Sequence, residues 1–253
     1  MAKFDQNTIV NYNMPIYWGA ENREQFEYHI SEASKLVRSF HFADNMFVWE
    51  RCNSMFRDQK FLDIWEENIE SPSDKGIVWR RYILATLAAH CVYLEGDFVE
   101  CGCYEGTGPK IIIDYVREEF ESKKFWLYDL FEYDEEMPHE PMPNIGPQLF
   151  GKVKERFSEY DNVLIFKGEI PYVFEQGLPE SIAFLHIDLN QANAEIASLE
   201  ALFDRVVPGG VIIFDDYEYF YLRAQKYAED AWLAKKGYLI VPLPTSQGFL
   251  IKR

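Results

Sequence analysis

The chain has 253 residues, 48% hydrophobic and 26% charged, which is apolar material for one large α/β domain or a compact domain with an N-terminal extension. With 42 acidic against 25 basic side chains the formal net charge is −17, which disfavours nucleic acid or an anionic membrane surface as a partner and points to a small or neutral molecule. No apolar signal segment follows Met1 and no run of about 18 apolar residues occurs, so a reducing cytoplasm is expected. Cys52, Cys91, Cys101 and Cys103 have neither zinc-site nor disulfide spacing.

In chain order, residues 1 to 20 are polar and aromatic with Pro15 and Gly19, and are expected to form an irregular arm. From Glu21 to Leu94 the apolar spacing is mostly helical, as in Ile64, Trp65, Ile69 and in Val78, Tyr82, Ala85, Ala89, with a turn and cap signal at Ser71-Pro72-Ser73-Asp74. An N-terminal helical layer over residues 1–75 is predicted. The aromatic segments Phe40-His41-Phe42, Phe47-Val48-Trp49 and Trp79-Arg80-Arg81-Tyr82 either pack together or line a pocket.

A second domain is predicted over residues 76–253. After residue 96 short apolar strands (98–101, 125–128, 163–166, 182–187 and 211–214) alternate with helical segments near 109–121, 148–159, 192–206 and 218–235. That alternation predicts an α/β fold of Rossmann-like type, a mostly parallel sheet covered on both faces. The closing segments 238–242 and 249–252 flank the turn Pro244-Thr245-Ser246-Gln247-Gly248, a hairpin spacing that makes the last strand antiparallel. The acidic, proline-bearing segment from Phe131 to Pro147 reads either as a mobile lid or as an ordinary long loop.

The most informative stretch is Asp97-Phe98-Val99-Glu100-Cys101-Gly102-Cys103-Tyr104-Glu105-Gly106-Thr107-Gly108-Pro109. A buried strand runs into a carboxylate and a glycine-rich turn, and a helix opens with Pro109 in its first turn. Dinucleotide folds place the helix N-terminus against a pyrophosphate. Here Glu100 stands two residues before the first glycine, which suits a cationic ligand such as S-adenosylmethionine. The alternative is a tight strand-to-helix turn with no ligand. Glu100, Cys101, Gly102, Tyr104 and Gly106 are the candidate cofactor-binding residues of this loop.

In open α/β sheets ligands bind beyond the carboxyl ends of the strands. The residues there are Glu100, Asp129, Asp188 and the pair Asp215-Asp216, five acids at four strand ends. Asp129 is placed to accept hydrogen bonds from a ribose diol. Asp188, Asp215 and Asp216 would share one hard divalent cation such as Mg²⁺ if their strands are neighbours; otherwise they cap the helices that follow. His186 shares a strand face with Asp188 and is either a base or a histidine satisfied within the sheet. His139 is a further candidate base.

The segments 178–188, 199–203 and Pro208-Gly209-Gly210-Val211-Ile212-Ile213-Phe214-Asp215-Asp216-Tyr217 resemble the macrocin O-methyltransferase family, and Val99-Glu100-Cys101-Gly102 and the Asp129 strand end fit its cofactor elements. The resemblance covers roughly residues 76 to 253. It implies a class I, S-adenosylmethionine-dependent, divalent-metal-assisted sugar O-methyltransferase of natural-product biosynthesis. Asp188 would contact the cofactor and take the acceptor's proton, and the metal would lie on Asp188, Asp215 and Asp216. The chain departs from the family in Asp188-Leu189-Asn190-Gln191-Ala192-Asn193, where Asn190 replaces a second acid and offers only a carbonyl oxygen, and in Tyr104-Glu105, which replaces an aromatic-basic pair. A catechol-type O-methyltransferase and a non-catalytic cofactor-binding protein are the other readings, and assembly as a homo-oligomer stays open.

Overall fold

In a computed structural model the described residues are 9–14, 19–133 and 142–253. The chain forms two compact units, Met1–Ile83 and Leu84–Arg253. In the first, three short strands form a sheet in the order β1 (Tyr12–Asn13), β2 (His41–Ala43), β3 (Met46–Val48), with β1 parallel to β2 and β3 antiparallel to it. The β2–β3 turn is Asp44-Asn45, both at positive φ (53° and 56°), the two-residue geometry that matches strand twist. This small sheet accompanies the expected helices, and two of the aromatic segments flank its hairpin: Phe42 and Phe47 pair across it, edge to face, with centroids 6.0 Å apart.

The helices of this unit are capped by short polar side chains. Asn22 Oδ1 accepts from Gln25 N at the start of α1 (Arg23–Ser34), and Asp58 Oδ1 from Phe61 N at the start of α2 (Gln59–Asn68). Ser71 and Asp74 form a reciprocal capping box on the one-turn α3 (Pro72–Lys75). Buried Asp44 accepts from the amides of Trp79 and Arg80, both at 3.0 Å, at the start of α4 (Val78–Cys91), the helix that contains the boundary between the units.

The second unit alternates as predicted: β4 (Asp97–Cys101), α5 (Thr107–Tyr115), α6 (Arg117–Phe120), β5 (Phe125–Asp129), α7 (Leu149–Arg156), β6 (Val163–Lys167), β7 (Ile182–Ile187), α8 (Ala192–Leu202), β8 (Val206–Phe214), α9 (Arg223–Lys235), β9 (Val241–Pro242) and β10 (Gly248–Ile251). The sheet order is β6-β5-β4-β7-β8-β10-β9, with β6 to β8 parallel and β10 antiparallel to both β8 and β9. Winding runs outward from β4 through β5 to β6, then returns to β7 on the other side of β4. The switch point therefore lies between β4 and β7.

Both faces of the central strands are apolar because both are covered. Phe98, Phe125, Phe184, Val211 and Ile213 pack with Ile112, Ile113 and Phe120 on one face, and Val99, Cys101, Leu185, Ile187, Ile212 and Phe214 pack with Leu199, Leu202 and Leu233 on the other. Phe184 is fully buried, with its ring 5.3 Å from Phe98. Phe184→Ala is expected to destabilise the protein by about 3–5 kcal/mol, read from the midpoint of urea unfolding at unchanged slope.

Candidate active site

The parallel register puts Tyr128, Cys101, Ile187 and Phe214 side by side on β5, β4, β7 and β8. The next residue on each strand is therefore Asp129, Gly102, Asp188 or Asp215, and these four form one edge. Backbone hydrogen bonds extend the ladder one step past the row: Gly102 N to Tyr128 O at 2.8 Å, Asp188 N to Cys101 O at 2.8 Å and Asp215 N to Ile187 O at 3.0 Å. One row back, Glu100, His186 and Ile213 are also in register, so Glu100 and His186 continue the same sheet face toward the edge.

The loop after β4 is shaped by backbone demands. Gly102 has φ +88°, and a Cβ there would sit 1.8 Å from the Asp188 carbonyl oxygen, so β4 and β7 approach closely only because that side chain is missing. Gly106, at φ +75°, caps α5 where a Cβ would meet the Phe157 ring. Asp129 fastens the loop to β5: its Oδ2 accepts from Tyr104 N at 2.7 Å and its Oδ1 from Phe131 N at 2.6 Å. Burial raises the Asp129 carboxyl above its usual range against those amide donors. The Cys103 amide is a third donor to this carboxyl, which leaves one of its four lone pairs open.

Glu100 is 2% exposed, and its Oε2 has no hydrogen-bond partner. A buried, partnerless carboxylate oxygen beside a glycine turn fits a cationic ligand group such as the ammonium of S-adenosylmethionine. The Cys101 side chain is turned into the core and carries its neighbours' packing, so the edge sees only its backbone. Burial also raises the Cys101 and Cys103 thiols, which removes them as nucleophiles.

Across the switch point, His186, Asp188 and Asp215 each offer an atom within 4.8 Å of the others'. His186 is fully buried, its Nδ1 3.3 Å from Glu100 Oε1 and its Nε2 3.4 Å from Asp215 Oδ1. Burial alone would lower its pKa, but the charges of Glu100 and Asp215 overcome this and lift it to about 10, so the imidazole is cationic between two carboxylates. The Asp188 carboxyl is held well above the usual carboxylate range by burial, then by Asp215 and Asp216. Asp216 thus lies near enough to act on Asp188, yet stands outside the three-residue group; it follows Asp215 in the turn that leaves β8. Asn190 has φ +57°, and its buried Oδ1 has no partner. The chemistry of the Asp188 and Asp215 donors, oxygen atoms short of positive charge, fits a hard divalent cation.

The C-terminal hairpin adds polar residues that its sequence offered only as a turn. Gln247 Nε2 donates to Asp215 Oδ1 at 2.8 Å, and Thr245 Oγ1 donates to Gln247 Oε1 at 3.1 Å, all buried. The closeness of β10 to β8 makes this possible, and only the antiparallel pairing Gly248↔Phe214 reveals it. In the Phe131 to Pro147 segment, residues 134–141, His139 among them, lie outside the described residues. Beyond them Asn144 N donates to Tyr104 Oη at 3.1 Å and its Nδ2 to Glu105 Oε1 at 2.6 Å. A cavity lined by Leu94, Asp97, Lys123 and Trp126 opens at the amino ends of β4 and β5, the end away from the carboxylate edge.

The profile of a methyltransferase-domain family matches residues 99–217, which span β4 through β8 and the Asp215-Asp216-Tyr217 turn. Similar solved structures include the O-methyltransferase NovP (TM-score 0.60, 17% identity, 75% of this chain and 87% of that one) and the calicheamicin methyltransferase CalS11 (TM-score 0.58, 13% identity, 92% and 94%). The methyltransferase PaMTH1 of Podospora anserina bound to S-adenosylhomocysteine is also similar (TM-score 0.50, 11% identity, 92% and 97%). At the level of sequence, no curated protein matches the chain. The sheet has the fold of the class I methyltransferases, and residues 99–217 match a methyltransferase domain. Among the described residues no helix is long and apolar enough to cross a membrane.

Replacing Gln247 by leucine removes the N–H that Asp215 Oδ1 accepts and leaves the buried Thr245 hydroxyl without its acceptor. Gln247→Leu is expected to lower stability by about 1–3 kcal/mol, measured by chemical denaturation, with Gln247→Glu no better because it sets a third carboxylate beside Asp215.

Proposed function

We propose that the enzyme transfers a methyl group from S-adenosylmethionine to a hydroxyl of a sugar or other hydroxylated small molecule, with a divalent cation such as Mg²⁺ held by Asp188, Asp215 and Asp216. The observation that carries this reading is the shared edge: the partnerless Glu100 oxygen and Asp129 on one side of the switch point, and Asp188 with Asp215 on the other. The resemblance to macrocin-type enzymes supports the sugar acceptor, as do the likenesses to an O-methyltransferase and a calicheamicin methyltransferase. It also supports a role in natural-product biosynthesis, and the absence of disulfides among the four free cysteines agrees with a cytoplasmic enzyme.

When bound, the cofactor supplies a sulfonium-linked methyl group open to in-line displacement, and the cation supplies a Lewis acid that makes a hydroxyl more acidic. The chain's own residues position the reactants. Glu100 Oε2 would accept from the cofactor's ammonium, and the lone pair left open on Asp129 would accept from its ribose diol. Asp188 takes the acceptor's proton, a role that suits a carboxyl whose proton affinity is raised by burial and by Asp215 and Asp216. The buried His186 cation holds Asp215 in place and offsets part of the negative charge gathered at the edge.

Two measurements test the assignment. Asp129→Ala removes its hydrogen bond to the ribose and those to the amides of Cys103, Tyr104 and Phe131, and is expected to weaken S-adenosylmethionine binding at least ~10-fold in calorimetric titration; unchanged affinity removes Asp129 from the cofactor site. Asp188→Asn is expected to abolish most turnover on a glycoside panel while leaving cofactor affinity nearly intact, and chelation is expected to mimic it, with Mg²⁺ restoring the rate. Full-speed methylation by the chelated enzyme refutes the role of the cation; capping does not account for these acids either, because α8 and α9 start from Gln191 and Leu222.

A further inference from the structure

Two adjacent residues of the loop after β4 are gripped from outside it, and Asn144 grips both. Tyr104 stands at φ +48°, a left-handed conformation that a bulky side chain keeps only where its surroundings fix it. Contacts on two sides do so. Its amide donates to Asp129 Oδ2 at 2.7 Å, and its hydroxyl accepts from Asn144 N at 3.1 Å. The next residue, Glu105, accepts at Oε1 from Asn144 Nδ2 at 2.6 Å. Asn144 thus turns its main-chain and side-chain donors onto neighbouring positions of one loop. It sits in a turn closed by Ile145 N to Met142 O at 3.1 Å, and Ile145 packs against the same apolar core as Tyr104, so the turn is anchored independently of these bonds.

The pair is chemically matched. Asn144 Nδ2 needs an acceptor, which the Glu105 carboxylate supplies and a basic side chain at that position could not. The need for an outer anchor follows from the inner one: Asp129 would hold the loop and the ribose with the same carboxyl, so a second hold keeps the loop in shape when the ligand competes for the first. A loop already set in the free protein also lowers the ordering cost of binding. We propose that Asn144 and Glu105 are positioning residues for S-adenosylmethionine, acting through Tyr104 to fix the loop that follows Glu100 and Gly102. This role rests on the reading of that loop as the cofactor site.

The experiment titrates the full chain calorimetrically with S-adenosylmethionine and, separately, with S-adenosylhomocysteine, at low and at high NaCl. Asn144→Asp exchanges the donor for a carboxylate facing Glu105, and is expected to weaken both ligands about 5–10-fold, with the deficit shrinking as salt screens the two charges. Because the contact lies at the surface, Tm is expected to move little. Adding Glu105→Gln to Asn144→Asp rebuilds the pair with donor and acceptor exchanged, and is expected to return the affinity to within about 2-fold of the unsubstituted chain. If the unsubstituted chain binds neither ligand, the cofactor reading falls and this role falls with it. If it binds both, the role alone is overturned by full affinity in Asn144→Asp, by a double variant no better than Asn144→Asp, or by a loss of affinity that tracks Tm and ignores salt.

Discussion

Everything at the active edge depends on the register of four parallel strands. Because Tyr128, Cys101, Ile187 and Phe214 lie in one row, the chain leaves the sheet at a common level, and Gly102, Asp129, Asp188 and Asp215 arrive together without further construction. A slip of one residue on any of these strands would turn its side chains to the opposite face. Two apolar layers fix the register, since each alternate residue of β4, β7 and β8 is committed to one core or the other.

The edge gathers negative charge in a chain that is already strongly acidic, and the protein manages it from within. His186 is the internal counter-charge, placed between Glu100 on β4 and Asp215 at the end of β8. Gln247, in the turn before the last strand, gives the same Asp215 oxygen a neutral donor. What remains unmet is specific: Glu100 Oε2 lacks a donor, and Asp188 is pushed toward protonation. A positively charged ligand on each side of the switch point would relieve both, so the residual electrostatic strain is also the recognition signal.

A buried ionic group is costly unless it is paired. At the edge the acids therefore divide: Asp129, Asp188 and Asp216 are partly exposed and able to meet a ligand, whereas Glu100 and Asp215 are buried against His186.

By itself the sequence determined the alternating strands and helices of the second unit, the antiparallel last strand and the acids at the strand ends, because each is written in local periodicity, glycine placement or the residue after an apolar run. The cap at Ser71 to Asp74 was legible for the same reason. The hairpin at Asp44-Asn45 was not, since its strands are three residues long and their aromatic spacing fits a helix equally well. Tertiary structure alone decided who meets whom: that His186 touches Glu100 across β4 and β7, that Gln247 returns from the C-terminus to Asp215, and that Glu229 faces Glu195. Those pairings join residues from 32 to 86 positions apart along the chain. No local pattern encodes them, because they follow from strand order and helix packing, which the whole core sets together.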